Sequence, residues 1–176
     1  MLNYLIFSDL HGDRRNLDLL LQRLEEQKVE TLICVGDLGI ERLGSVALQL
    51  KTIGVSFKYV KGNCDVPWNF RKANFNIPPL YLVEQLENRK LFVTHGDLFY
   101  SYHLFPLPIE ENDIFITGHT HIALLEKKQG SPYLLNPGSL STPRDKSLPT
   151  YALINKEEIV IKELETQKIV KKVLLK

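Results

Sequence analysis

Side chains able to hold metal ions or handle phosphate collect in five short blocks of the sequence. They are Ser8-Asp9-Leu10-His11-Gly12, Gly36-Asp37, Gly62-Asn63-Cys64-Asp65, Thr94-His95-Gly96-Asp97 and Gly118-His119-Thr120-His121. Four of the five histidines lie in these blocks, and each block closes an apolar run. Any one block alone is ordinary turn or helix-cap chemistry. Five of them on the ends of apolar runs in one short chain describe a site. Two carboxylates, one amide oxygen and four imidazoles suit borderline divalent cations such as Mn²⁺, Fe²⁺ or Zn²⁺. Thiolate is not prominent, so a structural cysteine-rich zinc site is not expected. Seven donors exceed one tetrahedral shell and imply two metals. A pair about 3.5–4 Å apart is a standard device for displacement at phosphorus.

The elements that must position these blocks alternate in the first half of the chain. Residues 2–8 form an apolar run that reads as a buried strand. Leu17, Leu20, Leu21 and Leu24 follow at helical spacing, with Asp13 as N-cap. A second strand spans 31–36. Val46, Leu50 and Ile53 mark a shorter helix stopped by Gly54, and a third strand spans 56–61. This alternation predicts a parallel sheet with right-handed crossovers. Loops at the carboxyl ends of such strands meet in one crevice, so the polar blocks should converge.

The second half reads as β structure. Leu80–Leu86 and Lys90–Thr94 flank the turn Glu87-Asn88-Arg89 as a hairpin. Further strands are expected at 114–117, 122–128, 132–136, 150–155, 158–163 and 167–174. The proline-bearing stretch 66–79 and the stretch 98–110 read as loops, and both follow polar blocks, which makes them candidate lids. The expectation is two packed β-sheets with helices outside, as one domain over residues 1–176.

Composition narrows the function classes. With 44% hydrophobic and 24% charged residues, the chain reads as a soluble globular protein. A net charge of +1, with no basic stripe, gives no sign of nucleic-acid binding and no field that recruits anionic lipid. The apolar start is too short for a secretory core and is interrupted by Asp9, and no apolar run approaches the roughly 20 residues that span a bilayer. A cytoplasmic location with no membrane partner is expected. Cys34, inside Leu32-Ile33-Cys34-Val35, reads as an inert core residue, and a disulfide with Cys64 is not expected.

The order Asp-x-His, Gly-Asp, Gly-Asn-x-Asp, His-Gly and Gly-His-x-His, from residue 9 to residue 121, resembles the calcineurin-like metallophosphoesterases. The similarity is greatest to their small bacterial and archaeal phosphodiesterase branch, to which Asn136-Pro137-Gly138-Ser139 adds a further loop. The resemblance covers essentially the whole chain. It implies an α/β fold built as a four-layer α/β/β/α sandwich of two mixed sheets. It also implies a divalent-metal-dependent phosphodiesterase with a phosphodiester substrate and two cations, Mn²⁺ first, with Ni²⁺, Fe²⁺, Co²⁺ or Zn²⁺ as substitutes. Asp9, His11 and His121 would hold one metal, Asn63, His95 and His119 the other, and Asp37 would bridge them, with a bridging hydroxide attacking phosphorus. Asp37 and Asn63 are thus the residues tied most directly to catalysis.

Most members of the family carry histidine between that Asn and Asp, where it assists the leaving group. Cys64 occupies this position here, and a thiol with a pKa of about 8.5 is a poor replacement acid. It is not expected to be catalytic. Asp97 departs from the His-Gly-His of many relatives, while the ligand position, His95, is kept. His103 could stand in as an acid or be a solvated loop histidine. Arg144 could bind a phosphate oxygen or be a plain surface arginine. A protein-binding scaffold of the same fold, like the retromer subunit, is the competing function. A scaffold has no need to keep all seven ligand positions, and all seven are present. A homo-oligomer is left open.

Overall fold

Eleven short strands, rich in Ile, Val, Leu and aromatic residues, build two mixed sheets in the computed structural model, which describes residues 4–176. In chain order β1 is Tyr4–Phe7, β2 Thr31–Cys34 and β3 Ser56–Tyr59. Then come β4 Tyr81–Leu86, β5 Arg89–Thr94, β6 Ile114–Ile116, β7 Leu124–Lys127 and β8 Tyr133–Asn136. The last three are β9 Thr150–Ile154, β10 Glu158–Glu163 and β11 Ile169–Leu174. The first sheet runs β11-β10-β9-β1-β2-β3 and the second β4-β5-β6-β8-β7. As the alternation predicted, β1, β2 and β3 pair in parallel, with Phe7 opposite Cys34 and Cys34 opposite Tyr59. Residues 2 and 3 of the expected first strand lie outside the described residues.

Strand alternation sorts the apolar side chains into two faces. Ile6, Ile33, Val35, Ala152, Ile154 and Ile161 of the first sheet meet Leu91, Val93, Ile114, Ile116 and Leu135 of the second in one inter-sheet core. Leu5, Phe7, Leu32, Cys34 and Leu153 point the other way, toward a layer of helices. The principal helix there is α1, Arg14–Gln27, capped by Asp13, whose carboxylate accepts the Asn16 N–H at 3.0 Å. Its buried residues are Leu17, Leu20 and Leu24, and Leu21 sits at the margin of the interface.

The second helix departs from expectation. In place of one segment around Val46–Ile53, the chain forms α2, Ile40–Leu43, a 3₁₀ stretch, Gly44–Leu48, and α3, Gln49–Thr52. Gly44 breaks the path with φ 58° and ψ −131°, a conformation open to glycine and costly for other residues. The stretch 66–79 holds a helix, α4 (Pro67–Lys72), with Pro67 in the first turn, where a proline needs no N–H partner. Its Phe70, with Phe75, packs into the helix-facing core. Arg89, expected in a turn, begins β5 opposite Leu86, so the hairpin turns on Glu87 and Asn88. Its buried guanidinium donates to the carbonyls of Asn112 and Lys176.

The two-sheet α/β sandwich therefore stands, with one refinement. The outer face of the second sheet, Phe92, Phe115 and Leu134, is covered by the segment 98–110 through Phe99, Tyr102, Phe105 and Ile109, with one 3₁₀ turn (Tyr102–Leu104). Phe105 lies edge-on to Phe92 and Phe115 with ring centroids 5.5 and 5.8 Å away. Both candidate lids are thus packed layers with exposed tips at Trp68 and Tyr100.

Leu20→Ala is expected to lower unfolding free energy by about 2–5 kcal/mol, because the cavity opens under a fully buried side chain against the sheet. Leu21→Ala should cost clearly less. Urea unfolding with unchanged m values would measure both.

Candidate metal centre

The parallel strands β1, β2 and β3 end at the same edge of the sandwich as β5 and β6, and the five polar blocks meet there. His121 Nε2 lies 3.2 Å from Asp9 Oδ1 and 3.4 Å from His11 Nε2. His11 Nε2 is 4.0 Å from Asp9 Oδ1 and 3.8 Å from Asp37 Oδ2. On the other side of Asp37, His95 Nε2 is 3.5 Å from the same Oδ2 and 3.1 Å from Asn63 Oδ1, and His119 Nδ1 is 2.8 Å from Asn63 Oδ1. Asp37 Oδ2 therefore stands within 3.8 Å of an imidazole nitrogen from each group. All seven predicted ligand positions are brought together.

Backbone conformation aims these side chains. Asp9, His11, Asp37, His119 and His121 all have positive φ, between 49° and 64°. That is a conformation costing a non-glycine residue about 1 kcal/mol or more, and it persists only where the surroundings impose it. Close approach is also required at Gly62, where an added Cβ would stand 2.1 Å from Asp37 Oδ1.

Hydrogen bonds from behind orient the rings. His95 Nδ1 is 2.8 Å from the Val35 carbonyl and His121 Nδ1 2.8 Å from the Thr142 carbonyl. A carbonyl only accepts, so each Nδ1 carries a proton, and Nε2 is the ring nitrogen left to face the site, able to donate to a carboxylate when protonated and to ligate a cation when not. The Asp9 carbonyl accepts from both Ser139 Oγ and Ser141 Oγ at 2.9 Å. Asp9 Oδ2 accepts the His119 N–H, whereas its buried Oδ1 has no hydrogen-bond partner. An unpartnered, fully buried carboxylate oxygen facing two imidazole nitrogens fits a cation between them.

Charge distribution follows from this crowding. Burial alone would raise the Asp37 carboxyl. The hydrogen bond and charge of His95 and the Cys64 N–H, 2.8 Å from Oδ1, outweigh it and hold Asp37 well below the usual carboxylate range. Burial would lower His95, but Asp37 and Asp9 raise it above the usual histidine value. Partial burial of the sulfur and the facing Asp37 carboxylate push the Cys64 thiol up to about 11, which disfavours a free thiolate nucleophile near neutral pH.

Asp65 had no assigned role in the sequence, although it closes the Gly-Asn-x-Asp block. It is buried, its Oδ2 accepts the N–H groups of Asp37 and Gly62 at 2.9 Å, and its Oδ1 accepts that of Gly39 at 3.3 Å. It thereby ties the β3 loop to the Asp37 loop, and its pKa is raised by burial despite those donors. Ser139, Ser141 and Thr142 were also missed as supports. Their signal in the sequence is the polar run that follows Asn136-Pro137-Gly138.

The two predicted substrate contacts differ in placement. The exposed Arg144 donates its backbone N–H to the His121 carbonyl at 3.2 Å, at the rim of the centre. The exposed His103 packs on Tyr102 with ring centroids 4.0 Å apart, and its described contacts include no candidate ligand.

Two mixed sheets with helices on the first, and a carboxylate–imidazole cluster at the strand ends that could hold metal ions, define an α/β sandwich with a candidate metal centre. The chain belongs to the calcineurin-like phosphoesterase superfamily, whose domain model matches residues 2–158. It is 27% identical to the phosphodiesterase YfcE of Escherichia coli K12 over 99% of both chains. It is 32% identical to the probable metallophosphoesterase YsnB of Bacillus subtilis, over 89% of this chain and 85% of that protein. The solved structure of the E. coli phosphoesterase YfcE superimposes with a TM-score of 0.83 at 25% identity, covering 98% of this chain and 99% of that one. The chain is thus a hydrolase acting on phosphate esters, and its family implies divalent metal ions. Among the described residues no helix is long and apolar enough to cross a membrane.

Asp65→Ala should destabilise the metal-free protein by about 1–3 kcal/mol, since buried N–H groups lose their acceptor. It should also weaken metal binding about 10–100-fold, although Asp65 is not among the candidate ligands. Urea unfolding in chelator and metal titration of the folded variant check the two effects.

Proposed function

We propose that the chain is a phosphodiesterase that works through two divalent cations, with Mn²⁺ first among those the family resemblance implies. The observation that carries this reading is the position of Asp37, whose carboxylate faces His11 on one side and His95 on the other. Asp9, His11 and His121 would hold one cation, Asn63, His95 and His119 the second, and Asp37 both. When bound, such a pair supplies a water activated to hydroxide near neutral pH and positive charge opposite the transferring phosphoryl group. A relative of full-length similarity is named a phosphodiesterase, which supports a diester substrate.

The chain's own residues set what the site can do with an ester. His95 and His121 are locked by the Val35 and Thr142 carbonyls, so their ring planes need little reorganisation. Arg144, anchored by its backbone beside His121, is read as the side chain that receives a non-bridging phosphate oxygen. Cys64 stands where an acid would assist the leaving group, and a thiol raised to about 11 protonates it poorly. Esters with good leaving groups are therefore the favoured substrates.

Two measurements test this. Purified protein should hydrolyse an activated aryl phosphodiester with added Mn²⁺ and lose that activity in chelator. Absence of turnover with Mn²⁺, Ni²⁺, Co²⁺ and Zn²⁺ would put a protein-binding scaffold first. Metal content per chain tests the bridge: Asp37→Ala should empty both positions, and Asn63→Ala mainly one. Equal losses in the two variants would sink the bridging assignment.

A further inference from the structure

Every candidate ligand named so far is nitrogen or oxygen, yet a sulfur stands beside them. Of the two cysteines, Cys34 is fully buried in the helix-facing core and Cys64 is exposed. Cys64 Sγ, a ring nitrogen of His11 and a carboxylate oxygen of Asp37 all lie within 4.8 Å of one another. The residue is tethered there, since its backbone N–H holds Asp37 Oδ1 at 2.8 Å and its sulfur accepts from Asn63 Nδ2 at 3.3 Å. Around one ion, bonds of about 2.0–2.3 Å to N, O and S place ligand atoms roughly 3–4 Å apart. A shift of about 1 Å in an exposed side chain closes that gap. Sulfur also changes which ions the centre prefers, because thiolate selects thiophilic cations over hard ones.

We propose that Cys64 is a facultative metal ligand. With His11 and Asp37 it gives the centre a sulfur-bearing face that captures thiophilic divalent cations such as Zn²⁺ or Cd²⁺ and leaves Mn²⁺ on nitrogen and oxygen alone. This rests on the metal-centre reading above and adds to it a selectivity device. Capture releases the thiol proton to solvent and forms a sulfur–metal bond, with no oxidant or reductant involved. Because Cys64 is on the exposed side of the centre, an ion held there stands in the path of an incoming ester, and excess Zn²⁺ or Cd²⁺ inhibits.

Co²⁺ separates the possibilities by absorption, without any assay of turnover. Visible d–d bands report cobalt on the histidine and carboxylate donors, and a near-ultraviolet sulfur-to-cobalt charge-transfer band reports the thiolate. The wild-type protein should show both, and Cys64→Ser should keep the visible bands and lose the charge-transfer band. In parallel, at an alkaline pH where iodoacetamide modifies Cys64 of the wild-type protein without added metal, Cd²⁺ should protect it and Mn²⁺ should not, read by intact mass. Visible bands without charge transfer in the wild type, a charge-transfer band that survives in Cys64→Ser, or equal alkylation with and without Cd²⁺ would overturn the proposal and leave the metal-centre reading standing. No cobalt spectrum at all would overturn both.

Discussion

Two carboxylates shut off from water, Asp9 and Asp37, stand at one edge of the sandwich, and the compensation of their charge is the constraint that orders the surrounding structure. An unpaired carboxylate in such surroundings is costly enough that a protein either neutralises it or supplies a partner. Asp37 is held ionised by His95 and by the Cys64 N–H. Asp9 is served on one oxygen by the His119 N–H and faces His11 and His121 with the other, which no hydrogen bond reaches. Neither imidazole reaches that oxygen with a hydrogen bond. A divalent cation relieves it and the imidazoles together, which is why the donor set and the burial point to the same chemistry.

Holding this arrangement requires rigid strand ends and a backbone forced into conformations it would not choose. Five candidate ligands sit in the left-handed region, each following or within a turn that leaves the sheet. The strands before them are anchored in a core of interlocking Ile, Val and Leu, so strain in the loops is not released by movement of the sheets. Polar crosslinks complete the restraint. Asp65 joins the second and third blocks, and Ser139 with Ser141 fastens the first block to the segment after β8. The centre is therefore preorganised by parts of the chain more than a hundred residues apart.

The two outer faces of the sandwich are built differently, with consequences at the site. Helices cover the first sheet and leave its loops free to supply Asp9, His11, Asp37 and Asn63. The second sheet is covered by the aromatic segment that begins just after His95 and Asp97 in the chain and shields Phe92 and Phe115. Tyr100 and Trp68 project into solvent from the segments 98–110 and 66–79. Cys64, beside the metal positions and exposed, is the one soft donor in an otherwise hard and borderline set.

The sequence by itself determined the parallel β1-β2-β3 core, the amphipathic α1 with its Asp13 cap, and the five polar blocks. Those features rest on local periodicity and on residue chemistry, and both survive any tertiary arrangement. Family-specific spacing also marked the seven donors that the structure brings together. What only tertiary structure decided is which face and which neighbour each residue meets. Arg89 looked like a turn residue and became a buried anchor because β4 and β5 pair one step closer than the turn signal suggested. The helix around Val46 broke at Gly44, and the proline-rich 66–79 still found a helical turn in which Phe70 could be buried. The role of Asp65 exists only when two loops from different strands meet over it, and no spacing along the chain encodes that meeting.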